Sequence, residues 1–218
     1  LDVKRGLRNE DGTGVLVGLT NIGNVVGYER TENGLKPIEG KLYFRGYEIS
    51  DLVHAVLNEQ RFGFEEIAYL LLSGGLPDAE ELEQFRHLLV GNMPLMSKTM
   101  LNIVELEGTD IMNILARSVL ELYTYDNTPD DILRENLMRQ SVELISKFPT
   151  IIAYAYNMLR HKTFGRSLHI RHPKENFSLA ENFLYMLLGN NYTPLDARTL
   201  DLLLILQAEH GGGNNSTF

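Results

Sequence analysis

The sequence predicts an all-α, multi-helical fold with a short β-ribbon arm at its N-terminus. Three observations lead there. From Ser50 onward, apolar residues recur at helical spacing between recognisable caps and stops. Strand-like stretches are confined to the first 48 residues, which are glycine-rich and show no helical period. The connections between the expected helices are short, so successive helices should run antiparallel.

The arm, residues 1–48, contains three short extended pieces at Val15–Leu19, Val25–Tyr28 and Leu42–Phe44. Asn33-Gly34 between the last two is a hairpin signal. Residues 49–218 read as one helical domain. Ser50 is the expected N-cap of a helix with Leu52, Val53, Val56 and Leu57 on one face. Phe64–Ser73 is a shorter apolar helix stopped by Gly74-Gly75. Asp78 and Glu81 fit a capping box ahead of Leu82, Phe85, Leu88 and Leu89. Thr109 can cap a helix with Ile111, Ile114, Leu115, Val119 and Leu122. Thr128-Pro129 places a cap and a first-turn proline before Ile132, Leu133, Leu137 and Val142. Pro149 should break or bend the chain beyond it. Ser178 and Glu181 form a second capping box, and that helix stops at Gly189. Thr193-Pro194 starts a last helix that should reach about Glu209. The expected total is about eight helices, with Thr163–Pro173 as a mobile basic loop.

Composition narrows the function. The chain has 218 residues, 20 basic and 29 acidic side chains, and a formal net charge of −9. A broadly acidic chain is a poor partner for nucleic acid, because duplex affinity is largely phosphate neutralisation. There are no cysteines, which removes disulfides, thiolate metal sites and Cys nucleophiles. The most apolar run, Leu200–Leu206, is short and carries Asp201, so no membrane partner is expected and a cytoplasmic location is the default reading. The chain begins with Leu and stops at Asn-Asn-Ser-Thr-Phe after an apolar helix and a glycine run, so both ends read as cut.

The unusual segment is the tail, Gln207–Phe218. An apolar helix should deliver His210 to its C-terminal end, where the negative end of the dipole favours the protonated imidazole. Three glycines then permit close approach of backbone to a ligand, and Asn214, Asn215 and Ser216 supply amide and hydroxyl groups. Such a set suits an anionic, oxygen-rich ligand, or it is helix-stop chemistry with a capping His. A phosphate loop fits poorly, since no Lys follows the glycines and a helix, not a strand, precedes them. His161, His169 and His172 match no metal-ligand spacing, so no metal is expected and they read as a solvated basic loop. Glu65-Glu66 and Glu80-Glu81 lie in first helical turns, where acidic residues complement the dipole. Tyr154, Tyr156 and Tyr185 read as core.

Four segments, in order, carry a family resemblance. Ala208–Phe218 (Ala-Glu-His-Gly-Gly-Gly-Asn-Asn-Ser-Thr-Phe) resembles the signature of citrate synthases. Ser178–Leu187 resembles the helix that precedes that signature, Tyr43–Leu52 resembles a "YRGY-I-DL" segment, and Phe64–Pro77 resembles an "FEE-YLLL-G-LP" segment. The resemblance implies a mostly helical homodimer with a large and a small domain. It implies condensation of oxaloacetate with acetyl-CoA to citrate and CoA by general acid–base catalysis, without a metal or other cofactor beyond the coenzyme A thioester as co-substrate. His210 matches the family His that binds oxaloacetate. Asn214 and Ser216 match positions that support the active site, with Ser216 orienting a catalytic His. The catalytic His and Asp residues are expected in segments downstream of Phe218, as are the small domain and most of the CoA site, so this chain resembles the N-terminal half and should be inactive alone. Two alternatives stay open: a 2-methylcitrate synthase using propionyl-CoA, and a non-catalytic helical scaffold or pseudoenzyme.

Overall fold

A computed structural model describes residues 3–4, 8–9, 20–32, 34–105 and 110–209. The extended piece expected at residues 15–19 lies outside them. The chain forms two compact units, Leu1–Glu59 with Leu206–Phe218, and Gln60–Ile205.

In the first unit, β1 (Val3–Lys4) pairs antiparallel with β2 (Arg8–Asn9). A three-stranded antiparallel sheet comes next, in the order β3 (Gly23–Thr31), β4 (Gly34–Phe44), β5 (Tyr47–Glu48). Thr31 faces Gly34 across a two-residue connection, and Gly34 takes φ +109°, as the Asn-Gly signal anticipates. The ribbon is longer than the sequence suggests and runs through Pro37. The register shifts between Val26 and Tyr28, next to the Tyr28–Pro37 pair, and such a bulge is where a residue lacking an N–H fits a ladder. Arg45 and Gly46, both at positive φ, close the β4–β5 turn. Strand β5 runs directly into α1 (Ile49–Asn58), and this corrects the reading of Ser50 as N-cap. Glu48 occupies that position because it still pairs with Tyr43, while Ser50 is already helical and its hydroxyl donates to Glu48 Oε1 at 3.0 Å.

The second unit is helical: α2 (Phe64–Ser73), α3 (Ala79–Asn92), α4 (Ser97–Glu105), α5 (Ile111–Tyr123), α6 (Arg134–Phe164), α7 (Leu179–Leu188) and α8 (Pro194–Leu206), the last residue of α8 belonging to the first unit. The all-α reading stands, with eight helices among the described residues. Gly74 stops α2 at φ +98°, and the Asp78/Glu81 and Ser178/Glu181 capping boxes both form. Three details differ from expectation. Helix α4 was not anticipated, because only Thr99 and Ile103 of its nine residues are buried and the apolar stripe is too thin to read. Asp110 caps α5 by accepting from the N–H groups of Met112 and Asn113; Thr109, the expected cap, lies outside the described residues. Thr128-Pro129 does not start a helix. Asn136 donates to the carbonyls of Thr128 and Asp131 and holds residues 128–131 as a turn, so α6 begins at Arg134 and leaves Ile132 and Leu133 82% and 69% exposed.

Nor does Pro149 end a helix. Helix α6 runs unbroken through it from Arg134 to Phe164, 31 residues in all, and stops at Gly165, which takes the left-handed conformation at φ +60°. The N–H lost at Pro149 is outweighed by the burial of the next turns. Thr150, Ile151, Ala153, Tyr154, Ala155, Asn157 and Met158 are all buried, and the Thr150 hydroxyl donates to the Met93 carbonyl at 2.9 Å. Helix α6 is therefore the central strut, touched by α3, α4, α5 and α7. The main core packs Ile151 and Tyr154 with Met93, Ile103, Ile114, Leu115, Leu179 and Met186. Tyr154 is core as expected and Tyr185 packs on its edge, but Tyr156 turns outward and is 41% exposed. Among the described residues no helix is long and apolar enough to cross a membrane.

Candidate functional site

The candidate site is approached through α8, the helix that leads in sequence into the 207–218 tail. Thr193 and Asp196 cap its start reciprocally: the Asp196 N–H donates to Thr193 Oγ1 at 3.2 Å, and Asp196 Oδ2 accepts from the Thr193 N–H at 2.8 Å. The Thr193 N–H and the Thr193 hydroxyl, which also donates to Oδ2 at 2.8 Å, hold the Asp196 carboxyl below its ordinary pKa. Pro194 stands at the first helical position, where its missing N–H costs nothing. The buried residues of α8 are Ala197, Asp201 and Ile205, four apart and so on one face. The middle one is a carboxylic acid, 1% exposed.

Asp201 is buried because α2 lacks a cap of its own. The N-cap of α2 is Gly63, which has no side chain to satisfy the first N–H groups. Asp201 supplies the oxygens from 138 residues away: Oδ2 accepts from the Gly63 N–H at 2.8 Å and Oδ1 from the Phe64 N–H at 3.1 Å. Burial pushes the Asp201 carboxyl up to about 6, and the nearby Glu65 charge adds to this. The two N–H bonds and the Arg86 charge pull the other way.

Glu65 repeats the device one helix further on. It is 2% exposed, and its Oε1 accepts from the Leu179 N–H at 2.7 Å, so a residue of α2 caps α7 beside the Ser178/Glu181 box. Among the described residues its Oε2 has no hydrogen-bond partner. Arg86 of α3 donates from Nη2 to the Phe62 carbonyl at 3.2 Å, while its buried Nε has no hydrogen-bond partner among the described residues. Glu65 and Arg86 line a common cavity of about 250 Å³ with Glu83, His87, Phe177 and Ser178. The sequence reading, which treated Glu65 only as a dipole-compensating first-turn residue, missed this chain of carboxylates from α8 to α2 to α7. An acid inside the apolar run 200–206 and a helix opened by Gly63 were its available signals. Glu66, the neighbour, pairs with Arg61 at 2.7 Å, and Glu81 closes its capping box.

His210, Asn214 and Ser216 lie outside the described residues. The approach to them is described and corrects one expectation. Helix α8 ends at Leu206, not near Glu209, so His210 stands four residues beyond it. Positions 208 and 209, which would extend the line of buried residues, are Ala and Glu.

The basic segment after α6 is irregular but tethered. The Asn157 amide donates to the His169 carbonyl at 3.2 Å, the Tyr154 hydroxyl to the Arg171 carbonyl at 3.2 Å, and Asn182 exchanges two bonds with the Lys174 backbone. His161 Nδ1 lies 2.7 Å from the Arg166 carbonyl. Lys174 sits over the rings of Tyr185 and Phe177, at 4.1 and 4.6 Å. Among the described residues no three His, Asp or Glu side chains are grouped to hold a metal ion.

The family model described as citrate synthase, C-terminal domain, matches residues 10–218. The chain belongs to the citrate synthase family. It is 35% identical over 185 residues to the citrate synthase of Deinococcus radiodurans, covering 83% of this chain and 47% of that protein. The crystal structure of citrate synthase from Pyrobaculum aerophilum superimposes with a TM-score of 0.75 at 28% identity, over 96% of this chain and 51% of that one. A ternary complex of carboxymethyl coenzyme A and oxaloacetate with the Thermoplasma acidophilum citrate synthase shares the fold, with a TM-score of 0.75 at 20% identity over 93% of this chain and 48% of that one. The chain thus spans about half the length of the citrate synthases it matches. Of the segments read from sequence, Tyr43–Leu52 forms the β4–β5 turn and the start of α1, Phe64–Pro77 forms α2 and its glycine stop, and Ser178–Leu187 forms the cap and body of α7. Only Ala208 and Glu209 of the tail signature are among the described residues.

Proposed function

We propose that this chain is the part of a citrate synthase that supplies an oxaloacetate-binding histidine, His210. The observation that carries the reading is the ordered set of family segments, ending in Glu209-His210 followed by Asn214 and Ser216, within a match that spans residues 10–218. In this reading His210 donates a hydrogen bond to oxaloacetate, Asn214 supports the site, and Ser216 orients a catalytic His from a downstream segment. The base, an Asp also downstream, takes a proton from the methyl group of acetyl-CoA while a His donates to the thioester oxygen. The enol attacks the ketone carbon of oxaloacetate, and water cleaves the thioester, so that acetyl-CoA, oxaloacetate and water give citrate and CoA. No metal takes part. The partner is a second copy of the same protein, the setting is the cytoplasm, and this half of the site contributes position and polarity, not the proton-transfer groups.

The test is release of CoA thiol from acetyl-CoA by the protein carrying this chain together with the downstream family segments. Oxaloacetate-dependent release is expected, with none from the 218-residue chain alone. No release by the longer protein, or release by the chain alone, contradicts the reading. The same assay with propionyl-CoA reads the acyl preference, where one methylene is worth about 1–3 kcal/mol in a pocket.

A further inference from the structure

The line of caps from α8 to α7 leaves two buried polar atoms over. Glu65 is 2% exposed, and its Oε1 is taken by the Leu179 N–H. Its Oε2 has no hydrogen-bond partner among the described residues. Arg86 gives Nη2 to the Phe62 carbonyl, and its Nε, also buried, has no hydrogen-bond partner among them. One atom is an acceptor and the other a donor, and the residues that carry them line the same cavity of about 250 Å³. The other polar groups of its wall are committed or lie in solvent. His87 Nε2 stands 3.2 Å from Glu83 Oε1, the Ser178 hydroxyl donates to Glu181 Oε2 at 2.9 Å, and Glu175 and Asn176 are exposed. A buried polar atom left unpaired is costly, and more so in a charged group, so this pair calls for an occupant.

We propose that a resident water molecule bridges Glu65 Oε2 and Arg86 Nε. The occupant must donate to the carboxylate and accept from the guanidinium. A cation meets only the carboxylate and stands against the charge of Arg86. An anion meets only the guanidinium and stands against the charges of Glu65, Glu83, Glu175 and Glu181. Water is the smallest species that does both. The space is sufficient, since a cavity of about 10–15 Å³ already holds one water and this one is about 250 Å³. The bridge closes a path from the Phe62 carbonyl through Arg86 and the water to Glu65 and the Leu179 N–H. It thereby ties α3 to the residue of α2 that caps α7, and keeps Oε1 of Glu65 turned to that cap. None of these groups takes part in the chemistry proposed for His210.

The test uses the intact chain. In a crystal structure that resolves ordered water, one water should lie about 2.7–3.2 Å from both Oε2 and Nε. In solution, magnetisation should pass from water to the Arg86 Nε–H with the sign of a water that tumbles with the protein. It is read in the rotating frame, where direct proton exchange has the opposite sign. Glu65→Met, which removes the acceptor and keeps the bulk, should abolish that transfer. A direct Glu65–Arg86 ion pair, an ion in the bridging position, no transfer in the wild-type chain, or a transfer that survives in Glu65→Met overturns the proposal. Should the variant fail to fold, the crystal structure of the wild-type chain decides. A water between the two atoms supports the bridge, and any other arrangement of them overturns it.

Discussion

Gly189 and Gly74 both stop helices at positive φ, and their replacement by alanine should have unequal costs. Gly74 has φ +98° and ψ 0°, and nothing lies within 4 Å of where a Cβ would stand. Gly74→Ala therefore meets only the backbone penalty of the left-handed region, about 1 kcal/mol, partly offset by a stiffer unfolded chain. Gly189 has φ +67° and ψ −125°, a combination that a side chain tolerates less well, at roughly 1–3 kcal/mol. A Cβ there would also stand 3.1 Å from Nε and Nη2 of Arg171 and 3.2 Å from its Cζ. Arg171 is not free to swing away at no cost, because Nη1 donates to the Met186 carbonyl at 3.4 Å and its own carbonyl accepts from Tyr154. Displacing it should add about 1 kcal/mol. The expected loss for Gly189→Ala is thus about 3 kcal/mol against about 1 kcal/mol for Gly74→Ala. Urea unfolding followed by circular dichroism at 222 nm reads both. Arg171→Ala in the Gly189→Ala background should recover only the steric part. Equal losses in the two single variants, or complete recovery by Arg171→Ala, would refute the division between backbone and contact.

Two further outcomes rest on caps and charges. Asp78→Ala removes the side-chain acceptor of the Glu81 N–H, one half of a capping box whose other half uses the backbone N–H of residue 78, and should cost about 1 kcal/mol in the same unfolding assay, with the change localised by exchange to the first turn of α3. Asp126 accepts from Arg139 at 2.7 Å, from the Thr128 N–H and from Gln140, and these bonds hold its carboxyl well below the usual carboxylate range. Its folded pKa lies below its unfolded one, so its stabilising contribution is present above the ordinary carboxylate pKa and is lost only as pH falls through the depressed value. Asp126→Asn should therefore flatten part of the acid limb of stability below pH 4 and leave the region between pH 5 and 7.5 unchanged.

Much of the fold was legible because the chain writes its helix ends locally. Asp78, Glu81, Ser178, Glu181, Gly74 and Gly189 each act within one turn of where they stand, so α2, α3 and α7 can be placed closely from sequence. The errors fall where distant residues decide. Pro149 stays inside a helix because the buried face beyond it packs on several others. Thr128 fails as a cap because Asn136 and Arg139, further along the chain, hold its turn closed. Asp201 and Glu65 cap helices other than their own, across separations of 137 and 114 residues, which no local pattern reveals. The candidate tail is read in a different way. His210, Asn214 and Ser216 stand out by an unusual run of residue types and by family segments in order, and their chemistry rests on that pattern.

The central claim is that His210 binds oxaloacetate in a citrate synthase. Its most direct measurement is the steady-state dependence of CoA release on oxaloacetate, in the protein carrying this chain and the downstream family segments, for wild type and His210→Ala. Loss of one hydrogen bond to a charged ligand is worth about 1.5–3 kcal/mol, so kcat/KM for oxaloacetate should fall by roughly 10- to 100-fold, with KM for acetyl-CoA little changed. An unchanged kcat/KM for oxaloacetate in His210→Ala would contradict the account.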